Sequence, residues 1–130
     1  MDANKIIEQL EQFQANLFVR GPGGKGVEPA GPVVLSNNLM LIRGLLVQLV
    51  DKVAEAERDY RHAKSAKFDE FLTQGMKKSP AMDMLEMDKD LIDKKIETER
   101  IRNYMKYVDG LCSSIQSVLK VKIGSEKSNY

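Results

Sequence analysis

The feature that most constrains the fold is a repeat of apolar residues that runs without interruption between positions 39 and 63. Its eight members alternate spacings of three and four: Leu39, Ile42, Leu46, Leu49, Val53, Ala56, Tyr60 and Ala63. This spacing places all eight on one face of an α-helix and is typical of a coiled-coil seam. The sequence therefore predicts one long helix over residues 36–74, capped by Ser36 and ended by Gly75.

A second stretch, towards the carboxyl end, repeats the same spacing. Its members are Ile101, Tyr104, Val108, Leu111, Ile115 and Val118. They predict a helix over residues 80–122, which begins at Pro80, a residue suited to a first helical turn. Because only five residues connect the two predicted helices, we expect them to fold back on each other as an antiparallel hairpin.

The first third of the chain has a different character. Ile6, Leu10, Phe13 and Leu17 lie on one face of a predicted amphipathic helix within residues 1–19. Residues 20–35 then contain five of the nine Gly and three of the four Pro, which predicts a linker or a glycine-rich loop. The predicted fold class is all-α: a long, coiled-coil-like helical hairpin plus a shorter N-terminal helix, in one domain of 130 residues.

The amino end of the first long helix is apolar on more sides than one neighbour can cover. Nearly every position from Leu39 to Val50 is apolar. We therefore expect a homo-oligomeric bundle, a dimer foremost. The candidate interface residues are Leu41, Leu45, Val108, Leu111 and Ile115. Gly44 and Gly110 fall at the same level of the predicted hairpin. Each is either a tolerated weak position in its helix or a place where another backbone approaches closely.

The composition of the chain excludes several classes of function. Twenty Lys and Arg against nineteen Asp and Glu give a net charge of +1, which excludes a protein that is basic over its whole surface. One Cys and one His exclude a disulfide framework and an ordinary zinc site, and we predict no metal or cofactor.

No nucleophile, base and orienting group can be assembled, so we expect a protein that is not an enzyme. The start lacks a signal-peptide layout, which favours a cytosolic location.

Two segments carry a resemblance. They are YRHAKSAKFDEFL, Tyr60 to Leu72, and ETERIRNYMKYVDGLCSSIQSVLK, Glu97 to Lys120. In their layout, a helix, an aromatic-ended turn and a second helix with an apolar run containing Gln and Ser, residues 36–120 resemble short helical proteins encoded in bacteriophage early regions. The resemblance implies a phage or prophage context, in which small non-enzymatic proteins bind host or defence machinery or assist DNA recombination and replication. It carries no role for any single residue.

The leading interpretation is a phage accessory or inhibitor protein in the host cytosol. It would bind a host or defence protein by occlusion, as an anti-CRISPR or other anti-defence factor does. The polar half of the hairpin and its tip, which we expect Phe68, Phe71, Leu72, Met84 and Met87 to close, would form the contact surface. The candidate partner-binding residues are Arg58, Arg61, His62, Lys64, Phe68, Phe71, Met84 and Met87.

Two alternatives stay open. A nucleic-acid-binding accessory factor of recombination or replication would use Arg58, Arg61, Lys64, Lys94 and Arg102. Acidic residues interleave with these cations, which is more typical of a solvated helix face. An oligomeric sponge for a small phosphorylated ligand would use Lys25, in a glycine-rich nest, and Arg43.

Overall fold

The computed structural model describes residues 2–24 and 26–128, and in that part of the chain it contains four α-helices and one two-stranded sheet. The helices are α1 (Ala3–Ala15), α2 (Pro32–Thr73), α3 (Lys78–Glu86) and α4 (Lys89–Ser128). The strands are β1 (Phe18–Arg20) and β2 (Val27–Pro29). The predicted all-α class, with two long paired helices and a shorter N-terminal helix, is confirmed.

The chain divides into two compact units, and both long helices contribute to each of them. Unit 1 comprises the described residues up to Val50 together with those from Met105 onward, and unit 2 comprises Asp51–Tyr104.

Unit 1 contains most of the fully buried side chains. They come from α1, the β1 region and the unit 1 parts of α2 and α4: Ile6, Leu10, Leu17, Leu35, Ile42, Leu49, Val108 and Cys112. Arg43 on α2 reaches α4 at two places about two helical turns apart, with Asp109 at 3.7 Å and Gln116 at 3.1 Å. The seam positions predicted from the repeat are buried here, since Leu39, Leu46 and Ile115 are at most 9% exposed.

The glycine-rich segment is an ordered β-hairpin. The strands β1 and β2 pair antiparallel, with Val19 opposite Glu28. The turn between them uses glycines with positive φ, Gly23 and Gly24 at about +70° and Gly26 at 69°, a backbone conformation that side chains disfavour. The N–H of Ala30 donates to the carbonyl of Leu17 at 2.8 Å, which closes the hairpin at its base.

Three predicted helix boundaries in unit 1 are wrong. Helix α1 ends at Ala15, so Leu17 is buried beside β1 and does not continue the helix. Helix α2 begins at Pro32 and not at Ser36, because proline has no N–H to leave unpaired in a first turn. Helix α4 continues past Lys122 and Gly124 to Ser128.

Four of the five predicted oligomer-interface residues contribute to the interior of the single chain. Leu45, Val108 and Ile115 are buried, Leu111 is half-buried, and only Leu41, at 49%, is substantially exposed. On the Leu45 side, Asn16 at the end of α1 donates to the side-chain oxygen of Asn38 at 3.4 Å. Asn38 is two helical turns before Leu45 and shares its face, so the end of α1 lies beside this flank of α2.

Unit 2 shows the largest departure from the predicted helices. The segment expected to form one helix from Pro80 is two, α3 and α4, separated at Met87 and Asp88. The carboxylate of Asp88 accepts from the N–H of Leu91 at 3.0 Å and so caps α4. The end of α2 matches expectation, because Gly75 has φ +92° and the N–H of Met76 donates back to the carbonyl of Phe71 at 3.0 Å.

Helix α2 is the one helix in the described part of the chain that is long and apolar enough to cross a membrane. Its most apolar 18-residue stretch has a mean hydropathy of 1.7, and 39% of that stretch is buried inside the chain. Core helices of soluble proteins share this composition, so the finding assigns no location to the protein.

Candidate functional site

A groove in unit 2 lies between α2 and the short helix α3. Its volume is about 260 Å³, and its lining residues are Arg61, Lys64, Ser65, Phe68, Met82 and Leu85. We call this surface the α2–α3 groove. Leu85 is 3% exposed and Phe68 is half-buried, so the groove has an apolar floor. Arg61 and Lys64 add positive charge to its lining.

The local sequence explains why these side chains meet. Arg61, Lys64, Ser65 and Phe68 are spaced by three, one and three residues, which places them on one face of α2. On α3, Ala81 and Leu85 are four residues apart, and both are buried. Met82 follows Ala81 and contributes the second apolar side chain of α3 to the groove.

A second cleft in unit 2 adjoins this groove. It has a volume of about 190 Å³ and lies between α2 and α4, and its lining residues are Glu57, Tyr60, Arg61, Lys95, Thr98, Glu99 and Arg102. We call it the α2–α4 cleft. Arg61 lines both cavities, so we consider their charges together.

The charges along this surface are unequally compensated. Arg102 forms an ion pair with Glu57, which neutralises both groups. Arg61, Lys64 and Lys95 form no ion pair with any residue that the structure describes. With Glu99 as the remaining carboxylate of the lining, the surface carries an excess of positive charge.

The structure brings three of the eight predicted partner-binding residues together in the groove: Arg61, Lys64 and Phe68. Arg58 and His62 are exposed on α2 outside the groove lining, and Phe71 is half-buried near the end of α2.

The expectation that Met84 and Met87 close the tip is wrong, whereas their role in binding a partner stays a prediction. Met84 is 42% exposed and Met87 is 70% exposed, so neither closes the tip, and neither lines the groove. Met82 and Leu85 line it instead, because α3 is a separate helix that buries its Ala81 and Leu85 face. The four-residue spacing of Ala81 and Leu85 is the signal in the sequence that could have found this face.

The five cations proposed for nucleic acid do not gather in one cleft. Lys94 lines a separate cleft of unit 2, together with Ala56, Asp59, Asp93, Glu97 and Thr98. Arg102 has its charge compensated by Glu57. Arg61, Lys64 and Arg102 line the α2–α3 groove or the α2–α4 cleft, whereas Arg58 lines none of these three cavities.

The proposed phosphate site lacks a described lysine, because Lys25 lies outside the residues that the structure describes. Arg43 is engaged within its own chain, since its guanidinium donates to Gln116 and lies 3.7 Å from the carboxylate of Asp109. A phosphate would have to compete with that carboxylate for the guanidinium.

Cys112, Lys67 and Asp88 have perturbed acidity. Burial raises the pKa of the Cys112 thiol, which is 0% exposed. The hydrogen bond between Lys67 and Asp88 raises the pKa of the lysine and lowers the pKa of the carboxyl. Over residues 2–24 and 26–128, no three His, Cys, Asp or Glu side chains lie close enough together to hold a metal ion.

Comparisons of the chain with protein-family models, with curated proteins and with solved structures found no match. The case for a functional site therefore comes from the geometry of this chain alone.

Proposed function

We propose that the protein is a non-enzymatic binding protein that engages a partner protein through the α2–α3 groove and acts by occlusion. One observation carries the proposal: an apolar floor formed by Phe68 and Leu85, with the exposed Met82 at its edge, lies beside two cations that have no ion-pair partner among the described residues, Arg61 and Lys64. Buried apolar anchors surrounded by polar and charged groups are typical of protein interfaces.

The groove suits a side chain of a larger partner better than a free small molecule. Its 260 Å³ lie below the roughly 300–1,000 Å³ of small-molecule sites. The excess of positive charge favours a partner segment in which an apolar side chain is flanked by carboxylates. The phage-like layout of residues 36–120 supports a host or defence protein as the source of that segment.

The test compares two variants with the same change in charge. Arg61→Glu with Lys64→Glu reverses both groove cations, whereas Arg58→Glu with Lys94→Glu reverses two cations outside the groove. Each tagged protein is used for affinity capture from a bacterial lysate, and captured proteins are quantified by mass spectrometry. We expect a captured protein whose recovery falls about tenfold or more with the groove variant and is unchanged with the control.

Equal recovery with both variants would overturn the proposal. The nucleic-acid alternative is tested on the same proteins by fluorescence anisotropy with a labelled DNA duplex and a labelled RNA strand. Binding that weakens steeply with salt, and that the control variant also loses, would establish that alternative in its place.

A further inference from the structure

Helix α2 has an exposed apolar face in unit 1 that none of the described residues covers. We call it the outer face of α2 and define it by Val33, Met40, Leu41, Gly44 and Val47. Met40 and Val47 are 70% and 66% exposed, and Val33 is 72% exposed. The spacing of Met40, Gly44 and Val47 by four and three residues places them in one row along the helix.

This face carries no charge. Arg43 is the one charged residue between Pro32 and Val50 in the sequence. Its guanidinium is held on the α4 side by Gln116 at 3.1 Å and Asp109 at 3.7 Å. A solvent-facing helix surface about five turns long ordinarily carries charged residues, so an uncharged one indicates a partner surface.

The exposed area is on the scale of a small interface. The four apolar side chains of the outer face present on the order of 450 Å² of surface, within the range of the largest patches that monomers expose. Two copies packed face to face would together bury about 900 Å² of it, which is the size of a weak interface.

Gly44 lies in the middle of the outer face and has no role within the chain. A Cβ built there meets no described atom within 4 Å, and its φ is not in the left-handed region. A glycine inside a helix costs about 0.8–1.0 kcal/mol relative to alanine. Its position between two large apolar side chains, Met40 and Val47, suits the close approach of a second helix.

We propose that the outer face of α2 is the contact surface for a second copy of this chain, with the two α2 helices antiparallel and crossing at Gly44. A two-fold interface is self-complementary, so the residue at the axis meets itself. Pairing about Gly44 sets Met40 of one copy near Gln48 of the other and Leu41 near Val47. Glycine at the axis lets the two backbones approach and lets these larger side chains pack on either side. The inference does not depend on the α2–α3 groove, which belongs to unit 2.

The first test measures self-association of the full chain by sedimentation equilibrium. We expect the wild type to dimerise at micromolar concentration and Val47→Glu to be monomeric. Val47 is exposed, so an unchanged far-UV circular dichroism spectrum would show that the variant still folds.

Alanine variants of two glycines distinguish an effect on the interface from an effect on helix propensity. A Cβ at Gly110 on α4 also meets no described atom within 4 Å, and Gly110 lies outside the outer face. Alanine should favour the helix at either position. We expect Gly44→Ala to weaken dimerisation by about tenfold or more, and Gly110→Ala to leave it unchanged.

Cross-linking tests the crossing point directly. Gly44→Cys, with Cys112→Ser, should form a disulfide-linked dimer under mild oxidation, since a disulfide requires Cα atoms within about 7 Å. Gly110→Cys in the same background is the control and should stay monomeric. A wild type that remains monomeric at micromolar concentration would overturn the proposal. So would a monomer that floats with phosphatidylglycerol-containing vesicles, because a lipid surface would then occupy the face.

Discussion

Replacing Leu85 with alanine tests which face of α3 packs against the rest of unit 2. Leu85 is 3% exposed, whereas its neighbour Met84 is 42% exposed. The periodicity of the sequence placed Met84 in the tip, and the structure places Leu85 there. The two substitutions, Leu85→Ala and Met84→Ala, therefore distinguish the two arrangements of the same short helix.

The expected losses in the free energy of unfolding follow from how deeply each side chain is buried. Leu85→Ala removes three carbon atoms from a fully buried position, which costs about 2.4 kcal/mol in transfer and about 3 kcal/mol with the cavity term. Met84→Ala removes three heavy atoms from a position that is a little over half-buried. We therefore expect a cost of about 1 kcal/mol, because alanine also favours the helix slightly.

The assay is urea unfolding followed by far-UV circular dichroism. We expect the free energy of unfolding to fall about 2 kcal/mol further for Leu85→Ala than for Met84→Ala. Met84→Ala as the more destabilising substitution would refute the packing of α3. Equal losses would also refute it, since a helix with both faces equally buried is not the one described.

The remaining predictions concern Cys112 and Asp88, whose pKa values are perturbed. Because burial raises the pKa of Cys112, its thiol should react with a disulfide reagent far more slowly in the folded protein than in urea; equal rates would contradict its burial. The pKa of Asp88 is lowered, first by its hydrogen bond with Lys67, so the stability that it contributes is present above its ordinary value of 3.8 and is lost as the pH falls below it. Asp88→Asn should therefore reduce the acid dependence of the free energy of unfolding. Asp90→Asn changes the more exposed carboxylate, 3.7 Å from Lys67, and should reduce that dependence less. The reverse order would show that Asp90, and not Asp88, is the main partner of Lys67.

The candidate site was only partly predictable from the sequence. Arg61, Lys64 and Phe68 could be placed on one face of α2, because helical spacing is a local property of a long regular helix. Met82 and Leu85 were missed, because Ala81 and Leu85 fit one face of a helix while Met84, Met87 and Leu91 fit another, and spacing alone does not decide between the two faces. Asp88 caps the start of α4, and α3 is a separate helix of nine residues. The face that α3 buries is therefore not fixed by the repeat of α4.

The sequence by itself determined the two long helices and their antiparallel return. An uninterrupted three-and-four repeat commits each residue to one side of a helix. The connection between α2 and α4 is longer than the five residues predicted, because it contains α3, but the two long helices still pair. Only the tertiary structure decided what covers the hairpin. The end of α1 contacts α2 through Asn16 and Asn38, which are 22 positions apart, and the segment rich in Gly and Pro folds into β1 and β2. The contact with α2 leaves no periodic signal, because it depends on a surface that exists only after the helices have packed. The two strands of three residues each are too short to show a clear alternation in the sequence.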